Sequence, residues 1–530
     1  MEGGEVGEMP RLTALLAALL IAATSALCGP VDEARRLINE GNFDGAVRLL
    51  ERHLASNPAD KEALAWLGYA YEVKGERELA ADAYARAVQA GAGEGARRGL
   101  RRVFSGRFPR WLTEAARRSL PIPHVELSLK FDDPLLPEGA PRELRALYTK
   151  GLTYTERVPV SDPKLGEKFN RVVYGYIKRG NRWLLRAAVF YKSRYISKSE
   201  RDFLDLAVGV MEAALRLVAL GIAYLDRDPT WAGGEFVKFW LCEGGKGGAE
   251  QWNDNIFIYS AGEKEGSPCE RFRQLAHEYG HLLLPGINDF DKPEKWADGH
   301  LGEALFLWLG ARNPSLWPGK PARFLPSFGE LSKYVKARYV PVARAFLDAG
   351  PQSPLLFDRT ERGMWYLAGF LLFATRGLSP SPVRRFLKEF SGVSPYDLML
   401  QMSRVAWESS RAGLLVRAGW RSGLGDEDPE GPLSVEPGRV VRLWVPLDSG
   451  EYVASLVGRG RARAVLQLKG PSNRELSVEI GSPSARFSVS RGWYEATLRV
   501  LASSRGAVVE GVKFSPARAA SPPSPRTPPA

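Results

Sequence analysis

The chain has 530 residues, of which 45% are apolar and 25% are charged. This composition is typical of globular proteins and excludes a chain that is disordered, collagen-like or coiled-coil throughout. The length predicts about three domains, and only one apolar stretch, near the N-terminus, approaches membrane-spanning length, which excludes a multi-spanning transporter. The net charge of +12 is compatible with anionic partners. However, the arginine-rich run 97–118 lacks the ordered alternation of basic and aromatic residues of a nucleic-acid platform and is interpreted as a solvated helix face.

The first residues have the pattern of an export signal. Residues 12–27 form an apolar run that suits a secretory signal better than a full membrane helix. Translation from Met9 would remove three preceding glutamates and leave a short basic start. Cys28 follows the run, but a large residue before it departs from the lipoprotein pattern. We expect residues 1–28 to be a signal peptide or N-terminal anchor and the protein to be extracytoplasmic, with a buried core helix as the alternative. The proline-rich residues 516–530 predict a disordered tail.

Cysteine usage is sparse. The chain has three cysteines and no CxxC pair, which excludes a disulfide scaffold and a thiolate zinc site of that type. In an exported protein, Cys242 and Cys269 are compatible with a disulfide and equally with two free buried thiols.

Residues 31–90 repeat with a period of 34. Small residues at such spacing let antiparallel helices approach, and large ones fill the groove between neighbouring pairs. The second unit has these residues at Leu64, Leu67, Gly68, Tyr71, Gly75, Ala80, Tyr84 and Ala87. Segment 31–104 therefore resembles tetratricopeptide repeats, two units with a capping helix. We expect it to be a docking or spacer module or to bind a protein partner.

Three of the five histidines fall within residues 277–300, and two of them belong to the sequence His277-Glu278-Tyr279-Gly280-His281. The segment Glu270–Leu284 predicts a helix that stops at a Pro-Gly pair. The i, i+4 spacing puts both imidazoles on one face, one turn apart. They are then close enough to bind one Zn²⁺ at about 2.0–2.1 Å. Glu278 lies beside the ion, where it can take a proton from a zinc-activated water.

A catalytic zinc needs a third protein ligand. The extension with a glycine and a third histidine directly after the motif is absent, because Leu284 and Ile287 occupy those positions. Glu303 lies 22 residues after the second histidine of the motif, in a segment that predicts a second helix. Glu303 is the preferred third ligand, and His300 and Asp298, just before it, are the alternatives.

The HEYGH motif and the segment 301–308, LGEALFLW, resemble the gluzincin group of peptidase-MA-like zinc metallopeptidases, over residues 120–425. The resemblance implies an α+β zincin-like domain in which His277, His281 and Glu303 hold zinc and Glu278 is catalytic. It departs from thermolysin-like enzymes at Leu307, where those enzymes have an aspartate that orients a histidine.

The same resemblance implies two further features. The segment Asn255-Ile256-Phe257-Ile258 predicts a strand, and in zincins an edge strand at this point binds an extended substrate by strand addition. An ordinary core strand is the alternative. Tyr366 matches a tyrosine whose hydroxyl would stabilise the oxyanion, and a packing tyrosine is the alternative.

The flanking segments fit such a domain. Residues 125–131, 172–177 and 183–191 predict strands, 199–222 predicts a long apolar helix, and 312–420 predicts a mainly helical subdomain. This order of elements is consistent with the zincin fold that the resemblance implies.

Residues 433–515 alternate between apolar and polar positions, with turn signals at short intervals. This pattern predicts a small β-sandwich. Its expected role is packing and stabilisation, and the alternative is binding to a polymer or a cell surface.

Together the patterns predict a multidomain protein with α-helical tetratricopeptide hairpins, an α+β zincin-like metallopeptidase domain and a C-terminal β-sandwich. The expected function is that of an exported zinc-dependent endopeptidase with peptide or protein substrates. A zinc aminopeptidase is one alternative, although the usual glycine-rich exopeptidase loop is not found. A non-catalytic surface-binding or assembly protein is another. No nucleic-acid partner is expected, and membrane or cell-surface association is compatible with the apolar N-terminal segment.

Overall fold

A computed structural model describes residues 29–517, apart from 75, 94, 97–98, 100–123, 154–159, 163, 181, 193–199, 230–235, 245–247, 253, 262–265, 292–293, 318–323, 425–426 and 432. The chain divides into two compact units. The first contains the helical repeats, and the second contains the described residues from His124 onward. The predicted signal segment 1–28, most of the run 97–118 and the tail beyond 517 lie outside the described residues.

The first unit consists of helical hairpins. Its helices are Pro30–Asn39 (α1), Phe43–Ser56 (α2), Lys61–Lys74 (α3) and Arg77–Gln89 (α4). A Cβ atom at Gly68 of α3 would lie 2.7 Å from the Tyr84 ring of α4, so the glycine is what permits this close approach. Asn42 caps α2, because its side chain accepts a hydrogen bond from the Gly45 N–H at 3.0 Å. The hairpins predicted from the 34-residue period are confirmed.

A seven-stranded sheet begins the second unit. Its strands are His124–Lys130 (β1), Glu143–Thr153 (β2), Arg171–Arg179 (β5), Arg182–Tyr191 (β6), Val237–Leu241 (β7), Gly248–Trp252 (β8) and Asn255–Tyr259 (β9), while Val160–Ser161 (β3) and Lys168–Phe169 (β4) pair separately. The order is β1-β2-β5-β6-β7-β9-β8. Strands β6, β7 and β9 pair in parallel, and the other neighbours are antiparallel.

The predicted strands at 125–131, 172–177 and 183–191 are confirmed as β1, β5 and β6. Strand β2 was not predicted. Its buried face has Leu144, Ala146 and Tyr148, and the small alanine in the middle weakens the apolar alternation that would indicate a strand.

A long apolar helix packs on this sheet. Glu200–Leu220 (α5) continues as a π-helical turn, Gly221–Leu225, and confirms the helix predicted at 199–222. Gly175 of β5 leaves room for it, since a Cβ atom there would clash with the Met211 sulfur. Among the described residues, one helix, Phe203–Leu225, is long and apolar enough to cross a membrane, but 83% of its most apolar window is buried inside the fold. The expectation of a single span-length apolar stretch is therefore wrong, and burial in the core accounts for the second one.

Six further helices occur in the described part of the second unit. They are Pro268–Leu283 (α6), Asp298–Gly310 (α7), Phe328–Ala349 (α8), Glu361–Leu372 (α9), Val383–Glu389 (α10) and Pro395–Ser410 (α11). The short strand Leu378–Ser379 (β10) lies between α9 and α10, and the strand Leu414–Arg417 (β11) follows α11. The mainly helical character predicted for 312–420 is confirmed.

The C-terminal region contains two facing sheets. Its strands are Leu433–Ser434 (β12), Val440–Leu447 (β13), Gly450–Arg459 (β14), Ala462–Lys469 (β15), Arg474–Glu479 (β16), Phe487–Val489 (β17), Gly492–Ser503 (β18) and Val508–Pro516 (β19). One sheet has the order β13-β18-β15-β16, and the other has β10-β11-β19-β14-β17 with β12 also paired to β19. The alternating residues of β13 and β18 are buried, as the period of two predicts.

The sandwich is not packed as a separate module. Strands β10 and β11 come from the helical region and complete one of its sheets. One hydrophobic core runs through both regions. Trp493 Nε1 donates to Ser403 Oγ at 2.9 Å, and Trp444 Nε1 donates to the Leu347 carbonyl at 2.8 Å. The boundary predicted between 425 and 433 therefore divides elements that share one core.

A buried ion cluster joins three distant segments of the second unit. Arg376, 1% exposed, donates to Asp133 Oδ2 at 2.5 Å and to Glu430 Oε2 at 2.6 Å. Tyr224 donates to the same Asp133 oxygen at 2.5 Å. Burial by itself would raise the pKa of Asp133, but the Arg376 guanidinium outweighs it and the pKa is lowered.

Cys242 and Cys269 are both buried and not bonded to each other. Burial raises the pKa of both thiols, to about 11 for Cys269. The alternative of two free thiols is therefore the one observed.

Candidate metal centre

Helix α6 contains the HEYGH motif, and its two histidines lie on one face of the helix. Ser267 caps its start by accepting a hydrogen bond from the Glu270 N–H, and Pro268 occupies the first turn, where its missing N–H is not needed. Glu278 is 8% exposed, and the rings of His277 and His281 lie 5.0 Å apart. The helix predicted for 270–284 and the shared face of its two histidines are confirmed.

Helix α7 crosses α6 at very close range. A Cβ atom at Gly302 would lie 2.3 Å from the Gly280 Cα, and one at Gly280 would lie 2.6 Å from the Asp298 carbonyl oxygen. Side chains cannot fit at such distances, so two glycines allow the backbones to touch. This crossing brings Asp298, His300 and Glu303 next to the motif histidines.

Three imidazole nitrogens converge on one carboxylate. His277 Nε2 and His281 Nε2 lie 3.2 and 3.1 Å from Glu294 Oε1, and His300 Nε2 lies 3.6 Å from Glu294 Oε2. Gly299 lines the same space, because a Cβ atom there would lie 2.4 Å from His277 Nε2 and 2.6 Å from His281 Nε2. His277, His281 and Glu294 therefore form one possible ligand group, and His277, His300 and Glu303 form another.

Carboxylates hold the other nitrogen of each motif histidine. His277 Nδ1 is 3.0 Å from Glu303 Oε2, and His281 Nδ1 is 2.9 Å from Asp298 Oδ1. Such contacts fix the ring orientation and make Nδ1 the protonated nitrogen, which leaves the Nε2 lone pair for a metal.

Glu303 does not approach the Nε2 atoms. It is fully buried, and its Oε2 accepts from Arg273 Nη1 at 2.5 Å, while its Oε1 accepts from the Tyr339 hydroxyl at 3.2 Å. The guanidinium neutralises this carboxylate and disfavours a second cation there. Glu303 therefore lies on the Nδ1 side of His277, where it forms a possible ligand group with His277 and His300.

The histidine pKa values reflect these contacts. Burial alone would lower the pKa of His277 and His281, but their carboxylate partners outweigh it. The pKa rises to about 9 for His277 and about 10 for His281. The pKa of His300 is lowered, because burial dominates. The carboxylates of the cluster therefore favour a bound positive charge, and protons and a metal ion compete for the histidine nitrogens.

Glu278 differs from the other carboxyl groups of the site. Burial raises its pKa, against the opposing effect of His277, His281 and the backbone N–H of Gln251. Burial would also raise the pKa of Glu294, but its close contacts with His277 and His281 lower it. The site thus combines one carboxyl group that accepts a proton readily with another that stays ionised.

The strand next to the motif helix is β8, not β9. The predicted segment Asn255-Ile256-Phe257-Ile258 lies in β9, which pairs with β7 on one side and β8 on the other. Its backbone groups are therefore used within the sheet, and the prediction of an edge strand at 255–258 is wrong. Strand β8 is the edge, and Gln251 within it donates to Glu278.

Tyr366 is a core residue. It is fully buried, packs on Phe346, and donates its hydroxyl hydrogen to the Gly350 carbonyl at 2.6 Å. The prediction that it stabilises an oxyanion is therefore wrong, and the packing alternative holds. The preceding residue, Trp365, faces the site instead and stacks on His300 at 4.8 Å.

The donor set fits a divalent metal. His277, His281 and Glu294 place ligand atoms within 4.8 Å of one another. Glu294 Oε1 and His300 Nδ1 are buried and have no hydrogen-bond partner, so the carboxylate oxygen lies between the rings without the alignment of a hydrogen bond. Imidazole nitrogens and a carboxylate are ligands that suit Zn²⁺.

A group of possible ligands away from the histidines in the described chain, Asp162, Glu167 and Cys242, has other partners. The Asp162 carboxylate accepts from three backbone N–H groups of its own turn. Glu167 pairs with Lys192 at 2.6 Å. Because these oxygens already have partners, we assign no ion to this group.

Comparison with known families identifies the repeats. A tetratricopeptide repeat family model matches residues 31–95, so this region is a tetratricopeptide repeat region. Comparison with curated proteins gives no match. Such repeats generally mediate protein–protein interaction, which supports a protein partner. The function of the histidine cluster rests on its geometry.

Sequence reasoning missed Glu294, Arg273, Tyr339 and Trp365. Arg273 lies one helical turn before His277, and that spacing could have indicated it. The other three come from a loop and two distant helices, and no periodic pattern in the sequence points to them.

Proposed function

We propose that the protein is a metal-dependent hydrolase of peptide bonds, in which His277, His281 and His300 hold the ion, with Zn²⁺ expected. The observation that carries the proposal is that the Nε2 atoms of three histidines lie 3.1–3.6 Å from the Glu294 carboxylate. The buried Glu278 belongs to the same helix as two of these histidines. Three protein ligands and one open position are the usual set of a catalytic zinc site. When bound, the ion polarises the substrate carbonyl and lowers the pKa of water to about 7.

We prefer His300 as the third ligand because its Nε2 lies near the same carboxylate as the motif histidines, whereas Glu303 bonds to Arg273 and to a Nδ1 atom. In this proposal Glu303 orients His277 through the Nδ1 hydrogen.

Glu278 is the proposed general base. Its raised pKa matches the task, because a base works best when its pKa approaches the operating pH. Glu278 would accept a proton from the attacking water and then pass it to the leaving amine. The Gln251 N–H holds the carboxylate toward the edge strand, where a substrate would lie.

Strand β8 supports an extended peptide as the substrate. Strand β9 pairs with one side of β8, and no strand among the described residues pairs with the other. A peptide added there would obtain backbone hydrogen bonds that tolerate many sequences. We propose that β8 takes the role first assigned to 255–258, with Gln251 next to the scissile bond.

Two of the earlier expectations accompany this proposal. The apolar segment 12–27 supports an extracytoplasmic location, and internal rather than terminal cleavage remains the preferred reading over an aminopeptidase. Hydrolysis of peptides blocked at both ends would separate internal from terminal cleavage.

A protein partner of the repeat region is a second proposal. The family match at 31–95 supports it, together with the exposed side chains Tyr69, Val73 and Leu79 on the unit. Exposed apolar residues of this kind are common at interaction surfaces. Removal of residues 31–95 would abolish such an interaction without changing hydrolysis of a short peptide.

The main proposal is tested on protein that starts at Gly29. Metal content and hydrolysis of a quenched peptide library are measured for wild type, Glu278→Gln and the exposed control Glu436→Gln. We expect about one metal per chain in all three and a loss of at least about a hundredfold in turnover for Glu278→Gln alone. Undiminished turnover in Glu278→Gln would refute the mechanism, and absence of metal in wild type after reconstitution would refute the site.

A further inference from the structure

We infer that Glu294 is a displaceable fourth ligand, which the chain itself supplies to close the metal centre until a substrate replaces it. The inference rests on the proposed function, since it takes His277, His281 and His300 as the other ligands. It adds a regulatory property to that function: the centre is latent while Glu294 is in place.

The position of Glu294 Oε1 fits coordination to an ion. A tetrahedral ion with ligand bonds of about 2.0–2.1 Å separates neighbouring ligand atoms by about 3.3–3.4 Å. Glu294 Oε1 lies 3.2 Å from His277 Nε2 and 3.1 Å from His281 Nε2, near that spacing. The oxygen is buried without a hydrogen-bond partner, in contrast to Glu303, which is properly aligned on Nδ1 of His277. Oε1 therefore has the position of a ligand.

The loop that carries Glu294 is fixed at both ends. Ile287 and Ala297 are fully buried and joined by a backbone hydrogen bond of 2.8 Å. The backbone N–H groups of Asn288 and Asp291 donate to the carbonyls of other segments, at 2.7 Å each. Phe290 is also buried. These contacts hold the base of the loop and direct its tip to the histidines.

The described residues next to Glu294 lie at the surface. Lys295 and Trp296 follow Glu294 and are exposed. The backbone bond from Phe290 to Lys295 is long, at 3.4 Å. Glu294 is half-buried. A segment with a fixed base and an exposed tip can withdraw one side chain without disturbing the core, so local opening of the tip requires little free energy.

The consequence is competition for one position. While the Glu294 carboxylate occupies it, a substrate carbonyl oxygen cannot. Because the carboxylate is tethered, its effective concentration near the ion is high. The apparent affinity for substrate falls in proportion to the fraction of molecules that are open. A peptide that also pairs with β8 offers additional binding energy, which favours exchange of the carboxylate for the substrate.

The test uses the Co²⁺-loaded chain from Gly29, because the visible spectrum of Co²⁺ reports its ligands independently of activity. Wild type, Glu294→Ala, Glu294→Gln and the exposed neighbour control Lys295→Ala are compared. Sodium acetate then serves as a free carboxylate. Bound Co²⁺ is quantified for each protein, and kcat/KM is measured with the same peptide library as above.

We expect the spectrum of Glu294→Ala, but not of Lys295→Ala, to differ from wild type, and acetate to return it toward wild type. With an open fraction of about one tenth in wild type, kcat/KM of Glu294→Ala should rise about tenfold and fall again with acetate. Glu294→Gln should show the same changes in spectrum and in kcat/KM as Glu294→Ala, and it should keep the secondary structure of wild type.

Three outcomes would overturn the inference. Identical spectra in wild type and both Glu294 variants would show that Glu294 is not a ligand, while the proposed function would stand. Loss of Co²⁺ from Glu294→Ala would make Glu294 a permanent ligand rather than a displaceable one. Failure of wild type and all variants to bind Co²⁺ would refute the metal centre and the inference together.

Discussion

Gly299 gives a direct test of where the metal lies. An alanine at this position would put its Cβ atom 2.4 Å from His277 Nε2 and 2.6 Å from His281 Nε2, closer than the 3.0 Å that real Cβ contacts respect. An ion at about 2.0–2.1 Å from both nitrogens needs the same space. The methyl group and the ion therefore exclude each other, and we expect metal content to fall from about one to below about 0.1 per chain.

In contrast to the metal content, the free energy of unfolding of Gly299→Ala should change little. The atoms that it meets belong to two side chains rather than to backbone, and alanine favours a helix over glycine by about 1 kcal/mol. Gly302→Ala is the contrasting variant, because its Cβ atom would meet the Gly280 backbone at 2.3 Å. Gly310→Ala on the same helix is the matched control, with nearest atoms at 3.3 and 3.4 Å.

The assay measures metal content after dialysis, together with thermal unfolding of the metal-free proteins. We expect Gly299→Ala to lose metal and keep its unfolding temperature, Gly302→Ala to lose stability, and Gly310→Ala to resemble wild type. Full metal content in Gly299→Ala would refute the reasoning. It would place the ion on the Nδ1 side of His277, with His300 and Glu303, which also form a possible ligand group.

Three further predictions follow from single contacts. Glu303→Gln should weaken metal binding about 10–100-fold, whereas His300→Ala should abolish it; a metal titration with the opposite order would restore Glu303 as the third ligand. Tyr366→Phe should leave turnover unchanged and lower the free energy of unfolding by about 1–3 kcal/mol, because a buried carbonyl loses its donor; a large loss of kcat at full metal content would contradict this. Asp133→Asn should destabilise the second unit by about 1.5–3 kcal/mol at pH 7, because Arg376 keeps Glu430 but loses one of its two carboxylate partners. Because the folded pKa of Asp133 is lowered, its stabilisation is complete above its unfolded pKa of about 3.9 and is lost as pH falls through the folded value. The gap between wild type and variant in urea unfolding should therefore close below about pH 4, and a gap that persists there would refute the assignment.

Local patterns predicted the motif helix well. The i, i+4 histidines share a face because 3.6 residues make one turn, and the chain stops being helical at Leu284, just before a proline. The repeat hairpins were equally accessible, because a 34-residue period determines which small residues meet which large ones. In both cases the deciding interactions join residues that are near in sequence.

The edge strand could have been predicted from a different rule. Strand β9 has the sequence NIFIY and is buried on both faces, as a strand with two neighbours requires. Strand β8, GAEQW, includes a charged and an amide residue and is half-exposed. Edge strands commonly have charged residues that discourage pairing with other chains. Composition therefore favoured β8 as the edge, while the resemblance pointed to the more apolar strand beside it.

Sequence spacing did not settle the roles of Tyr366 and Glu303, for two different physical reasons. Neighbouring residues of a helix point about 100° apart, so Trp365 can stack on His300 while Tyr366 enters the core. His300 and Glu303 lie almost one turn apart and both face α6, but the crossing point at Gly280 decides which ring nitrogen each one meets. Sequence spacing brings a residue to the right helix, and only the packing of two helices decides which atom reaches the ion. For this reason the comparison of His300→Ala with Glu303→Gln tests the site more directly than the motif itself does.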